Sequence, residues 1–170
     1  KLLWRNSDPE VLRAIGAHRF AQNPREGFSS SAYVKCSDRA LYFAGPTRTD
    51  LAAVSAADGK LLWRKTEGGN SQLVLREDGL YAMGPGQSAK YDFLTGELIE
   101  SLGPRVNCTR ATGSADSILV RGGRDGTMRY DLVSQRQQHL CARRPSCQDG
   151  VLVAFGHMYW GPRLCDCNLT

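Results

Sequence analysis

Five of the six cysteines fall after residue 107: Cys108, Cys141, Cys147, Cys165 and Cys167. The sixth is Cys36. An even number of thiols crowded into one end of a short chain points first to disulfides formed in an oxidising compartment. Six cysteines allow 15 connectivities, so the pairing stays open. The rival readings are free buried thiols and a zinc site. Zinc knuckles repeat a Cys-x-x-Cys spacing, which is absent, and Cys165-Asp166-Cys167 is too tight for it. On a strand that spacing places both sulfurs on one face, from where they reach separate partners such as Cys147 or Cys108. No Cys-x-x-Cys-His occurs, which speaks against covalent attachment of a c-type haem within this chain.

Arginine supplies the other chemistry. The chain carries a formal charge of +5. Arg121, Arg124, Arg129, Arg143 and Arg144, with Arg105, Arg110 and Arg136, crowd a segment whose acids are Asp116, Asp125 and Asp131. Such a surface suits an anionic partner, either an acidic protein face or a polymer, and equally the solvated face of a strand. The aromatic residues that would interleave with it in a single-strand nucleic-acid groove are missing, which speaks against nucleic acid. His18, His139 and His157 have neither ligand spacing nor a companion carboxylate. Gly122-Gly-Arg-Asp-Gly126 has the composition of a phosphate loop, but strand-like residues follow it instead of a helix, so a turn is expected. Tyr159 and Trp160 read as buried blade packing in preference to the lining of a pocket. Asn168-Leu-Thr170 fits an N-glycosylation sequon, a motif too short to carry weight.

These residues are set on a repeated frame. Val54-Ser-Ala-Ala-Asp-Gly-Lys-Leu-Leu-Trp63 combines a two-residue Asp58-Gly59 hairpin signal, type I′ by composition, with a large ring at Trp63. The frame recurs at Tyr91-Asp-Phe-Leu-Thr-Gly-Glu-Leu-Ile99, with Asp92 and Gly96. It returns in degraded form at Tyr130-Asp-Leu-Val-Ser-Gln-Arg-Gln-Gln138, with Asp131 and with Gln135 in the glycine position. Ser55, Asp92 and Asp131 are spaced 37 and 39 residues apart, close to the ~40 residues of one propeller blade. Asp92 and Asp131 occupy the hairpin, where a carboxylate accepts backbone N–H groups. Residues 1–5, Lys-Leu-Leu-Trp-Arg, repeat residues 60–64 letter for letter, so the chain reads as starting inside a repeat, as a piece of a longer protein.

At 170 residues the chain is of single-domain size, with 18 glycines to serve tight turns and no apolar run long enough to span a bilayer. Residues 1–6 read as the end of a preceding blade. Residues 7–27 read as a helical insertion: Ser7 and Glu10 fit a capping box, Val11, Leu12 and Ile15 share a face, and Gly16 stops the helix. Blades are expected at residues 28–69, 70–105 and 106–146, and the start of another at 147–170. Each holds strands of four to six residues, and only neighbouring blades can cover its two apolar faces. The expected fold is therefore an all-β propeller segment of four-stranded antiparallel blades. It is either an arc of a larger ring or a four-blade ring closed by pairing residues 1–5 with residues 151–160.

The frame of an apolar residue, Asp or Ser, a spacer, Gly and Leu-Leu-Trp resembles the tryptophan-docking repeat of PQQ-binding-like β-propellers. That superfamily includes quinoprotein alcohol dehydrogenases and the propeller lipoprotein of outer-membrane assembly. The tail, from Cys108-Thr-Arg-Ala-Thr112 through Cys147-Gln-Asp-Gly150 to Cys165-Asp-Cys167, is similar to a cysteine-bearing bacterial branch of it. The resemblance implies either a noncatalytic extracytoplasmic scaffold that docks a protein or polymer, or a fragment of a PQQ-dependent oxidoreductase with PQQ and calcium on the propeller axis. The vicinal Cys-Cys pair that stacks on the quinone in those enzymes is absent, so no cofactor and no catalytic residue are expected. The insertion at residues 7–27 and the arginine-rich third blade are the expected contacts, unless the partner is the remaining blades of a longer chain. A thiol or metal site at Cys165 and Cys167 is the third reading.

Overall fold

A computed structural model describes residues 2–16, 33–45, 48–106, 109–122, 126–143, 145 and 150–161. The chain forms two compact units, residues 1–103 and 104–170. Among the described residues no helix is long and apolar enough to cross a membrane.

Among its described residues the first unit holds one helix, α1 (Pro9–Gly16), and two antiparallel sheets. The first sheet runs β1 (Tyr33–Cys36), β2 (Ala40–Ala44), β3 (Asp50–Ser55) and β4 (Leu61–Gly68), each strand beside the next. The second repeats that order with β5 (Gln72–Arg76), β6 (Gly79–Met83), β7 (Ser88–Tyr91) and β8 (Leu98–Leu102). These are blades, and the pleat explains how they pack. Alternate residues Ala40, Tyr42 and Ala44 on β2, Leu51 and Ala53 on β3, and Trp63 on β4 form one buried cluster with Leu73, Leu80 and Ala82 of the second blade. Tyr42 is paired with Ala53, and Ala53 with Trp63, so a small residue lies between the two rings.

The hairpin turns differ from the expected form. Residues 56–60 connect β3 to β4, and only Gly59 takes a left-handed conformation, at φ 71°. Its N–H donates to the Ser55 carbonyl at 2.9 Å, while the Ser55 N–H donates to Lys60 O at 2.8 Å. The turn is thus a longer loop closed by glycine, because Asp58 stays out of the left-handed region that a type I′ turn needs at both positions. The second blade repeats this closure at Gly96, φ 70°.

α1 also departs from its sequence signal. The helix begins at Pro9, and its cap is Asp8, not Ser7: Asp8 Oδ1 accepts the Glu10 N–H at 2.8 Å. Asn6 Oδ1 in turn accepts the Asp8 N–H at 2.7 Å. The buried face is Val11 and Ala14, and Leu12 is 48% exposed. Residues 17–27, the rest of the expected insertion, and residues 28–32, the start of the expected blade, lie outside the described residues.

Among the described residues the second unit has one four-stranded sheet and one hairpin. The sheet order is β9 (Thr112–Gly113), β10 (Ser117–Arg121), β11 (Thr127–Asp131) and β12 (Arg136–Cys141), and the hairpin pairs β13 (Val151–Ala154) with β14 (His157–Trp160). Ile118, Leu119, Val120 and Tyr130 are buried. The third turn has lost its glycine, and Gln135 takes the left-handed conformation itself, at φ 55°. Tyr159 is 51% exposed, against the expectation that it packs inside a blade; it lies opposite Leu152, also exposed, on the uncovered face of the hairpin. Trp160 is on the other face, half-buried, with its ring N–H donating to Thr127 Oγ1 at 2.8 Å.

Candidate functional site: a cleft between the first two blades

The repeat residues build a scaffold. Trp63 is 8% exposed, and its indole rests on Gly96 of the next blade, where a Cβ would come within 2.7 Å of Cδ2. The ring N–H donates to Phe93 O, three residues before that glycine, at 3.2 Å. Trp4 does the same to the first blade: its ring covers Gly59 and its N–H donates to Ala56 O at 2.7 Å. Asp92 Oδ1 accepts the N–H groups of Leu94 and Thr95 at 2.9 and 2.8 Å, and Asp131 Oδ1 those of Val133 and Ser134 at 3.0 and 2.9 Å. Backbone donors therefore hold both carboxyls below the usual range, and both are occupied in shaping turns.

A cleft of about 690 Å³ opens between the two blades. Its walls come from the end of β4, the loop entering β5 and the loop between β6 and β7. Beyond Trp63, which packs into the core, Arg64 and Lys65 of β4 both line the cleft. Lys65 Nζ stands 4.7 Å above the Tyr91 ring. Arg64 Nε is bound by the buried Asp50 carboxylate. Arg48 contributes from the β2–β3 connection, and Asn70 and Gln87 add exposed amides. The one carboxylate among the lining residues is Glu67, and none of them is a histidine or cysteine. The chemistry on offer is hydrogen-bond donation and positive charge.

Arg48 is 6% exposed. Its Nη2 donates to Ala14 O at 2.7 Å, Nη1 donates to Ile15 O, and Nε to Asp50 O at 3.4 Å. The guanidinium also lies 5.8 Å from the Phe43 ring centroid. Burial pulls its proton affinity below the ordinary arginine value and the neighbouring Asp50 opposes that. An arginine nonetheless remains charged at any ordinary pH.

The arginines of the third blade are placed separately. Arg129 is committed inside its own sheet, to Asp116 at 3.1 Å and Asp131 at 3.0 Å. Arg121 is half-buried and Arg143 is exposed, while Arg124 and Arg144 lie outside the described residues. Of the cysteines, Cys141 carries a free thiol 3.7 Å from Arg143 O, and Cys108, Cys147, Cys165 and Cys167 lie outside the described residues. Cys36, not among the disulfide candidates, is a free exposed thiol beside a smaller cleft of about 430 Å³ at the opposite end of the same strands. Among the described residues no three His, Cys, Asp or Glu side chains are grouped so that they could hold a metal ion. Arg48, Arg64 and Lys65 were not singled out from sequence. The local signal available was Arg64-Lys65 directly after the ring that faces inward.

No protein-family model matches the chain, and no curated protein matches it in sequence. Solved structures do match in fold. BamB from Moraxella catarrhalis superposes with a TM-score of 0.53 and 14% identity, covering 69% of this chain and 39% of that one. The computationally designed Ika4 protein gives 0.56 and 13%, covering 72% and 77%. The Pan2 WD40 domain from Neurospora crassa gives 0.50 and 12%, covering 72% and 41%. The fold is thus that of β-propellers, and the chain spans less than half the length of BamB.

Proposed function

We propose that the chain is a noncatalytic, extracytoplasmic docking module whose inter-blade cleft receives an acidic segment of a partner protein. The observation that carries this is the cleft itself. It has the volume of a ligand site, three cationic side chains and neutral amides on its walls, and a rigid scaffold of two blades behind them. The overall charge of +5 favours encounter with an anionic partner. The extracytoplasmic placement rests on the cysteine usage and on the resemblance to PQQ-like propellers.

Titrating a fluorescein-labelled hexaglutamate peptide with the purified chain tests it. Saturable binding that weakens with salt is expected, and Lys65→Glu, which leaves the Arg64–Asp50 pair intact, should weaken it and flatten its salt dependence. Unchanged binding by Lys65→Glu overturns the assignment to this cleft. A sulfated polysaccharide that outcompetes the peptide, with the same loss in Lys65→Glu, replaces the protein partner by a polymer.

A further inference from the structure

α1 has eight residues, too few to be stable alone, and the carbonyls of its last turn have no partner within the helix. What holds it is a small apolar face, Val11 and Ala14 against β3 and β4, together with one buried side chain. Arg48 sends its two terminal nitrogens to two successive carbonyl oxygens, Ala14 and Ile15, at the negative end of the helix dipole. Two parallel acceptors are what a carboxylate presents to a guanidinium. A carboxylate adds a full negative charge, so it makes the stronger pair. Arg48 is also part of the cleft wall, next to Thr49.

We infer that α1 is an internal pseudo-ligand: its C-terminal carbonyls occupy the guanidinium fork of Arg48 that an acidic side chain entering the cleft would take. This rests on the docking reading above and adds regulation to it. A carboxylate bound by both ends of the fork excludes the helix carbonyls, and a docked helix excludes the carboxylate. Cleft occupancy and helix docking therefore oppose each other, and by linkage each weakens the other to the same degree. Residues 9–16 become the moving part, and blade 1 stays as it is.

Amide hydrogen exchange on the full chain, with and without hexaglutamate, reads the coupling directly. The peptide should speed exchange in residues 11–16 and leave β2 and β3 unchanged. Arg48→Lys, which keeps the charge but removes the fork, should speed the same amides with no peptide present. Val11→Ser loosens the helix without touching the cleft, and should bind the peptide roughly fivefold tighter or more. Peptide that binds while α1 exchange is unchanged or slowed overturns the coupling and leaves the docking reading standing. Unchanged α1 protection in Arg48→Lys likewise removes Arg48 as the holding residue. No binding by either the wild type or Val11→Ser removes both proposals.

Discussion

The indole of Trp63 lies against the backbone of Gly96, a residue of the neighbouring blade, and is fixed there by the hydrogen bond from its ring nitrogen to Phe93 O. Trp63 also meets Tyr42 of its own blade and Tyr91 of the next, with ring centroids 6.4 and 6.5 Å away. One side chain thus joins the two sheets through aromatic packing, a polar contact and a close backbone approach.

Gly96→Ala should be costly for two separate reasons. A left-handed φ of 70° disfavours any Cβ, and this one would press into the indole. A loss of about 2 kcal/mol or more is expected, read from the denaturant midpoint, together with a shift in tryptophan emission as the ring is displaced. A variant as stable as the wild type would mean that the contact between Trp63 and Gly96 is dispensable.

Gln135→Gly should move the other way. Gln135 is exposed and left-handed at φ 55°, and glycine relieves that strain. Part of the gain is returned as unfolded-chain entropy, leaving roughly 0.5 to 1 kcal/mol of stabilisation in the same denaturation experiment. Destabilisation would show that the glutamine side chain makes a contribution larger than its backbone cost.

Asp78 sets an acid limit. Burial alone would raise its pKa, but hydrogen bonds from Lys90 at 2.8 Å, Tyr81 at 2.7 Å and Arg76 at 3.1 Å outweigh that and hold it at about 2. A carboxyl whose folded pKa lies below its unfolded value stabilises the fold above the unfolded pKa, and that contribution disappears as pH falls through the folded one. Stability should therefore decline from about pH 4 to pH 2. Asp78→Asn should lower stability at pH 7 and flatten that decline, followed by thermal melts across the range. The carboxylate is nearly half-exposed, so water screens the effect and the direction is the prediction.

Much of the fold is legible because its signals are local. Residues 40–44, 72–75 and 80–83 are short β-prone runs bounded by turn residues, and β2, β5 and β6 form over them. The spacing of Asp92 from Asp131 follows from one blade length, and both do cap turns. The N-cap was harder, since Asn6, Ser7 and Asp8 all compete for the same helix start. Tyr159 misled because the same kind of residue at Tyr42 and Tyr81 is buried; what differs is the surface beyond the sheet, which no local pattern records. The cleft is the least legible part. Arg48 meets α1 across 33 and 34 residues of sequence, and nothing around position 48 announces a helix carbonyl. Arg64 and Lys65 become a site only when the loops of two blades close around them.

The tryptophan–glycine lock also fixes an order of events in evolution. While a ring presses on the glycine, any mutation that adds a side chain there is penalised, but a codon change that removes the ring leaves a harmless glycine behind. Drift can therefore proceed through loss of the aromatic first and of its seat second, and hardly in reverse. Further along the chain both have gone: Glu100 stands at the tryptophan position of the second copy of the frame, and Gln135 at the glycine position of the third.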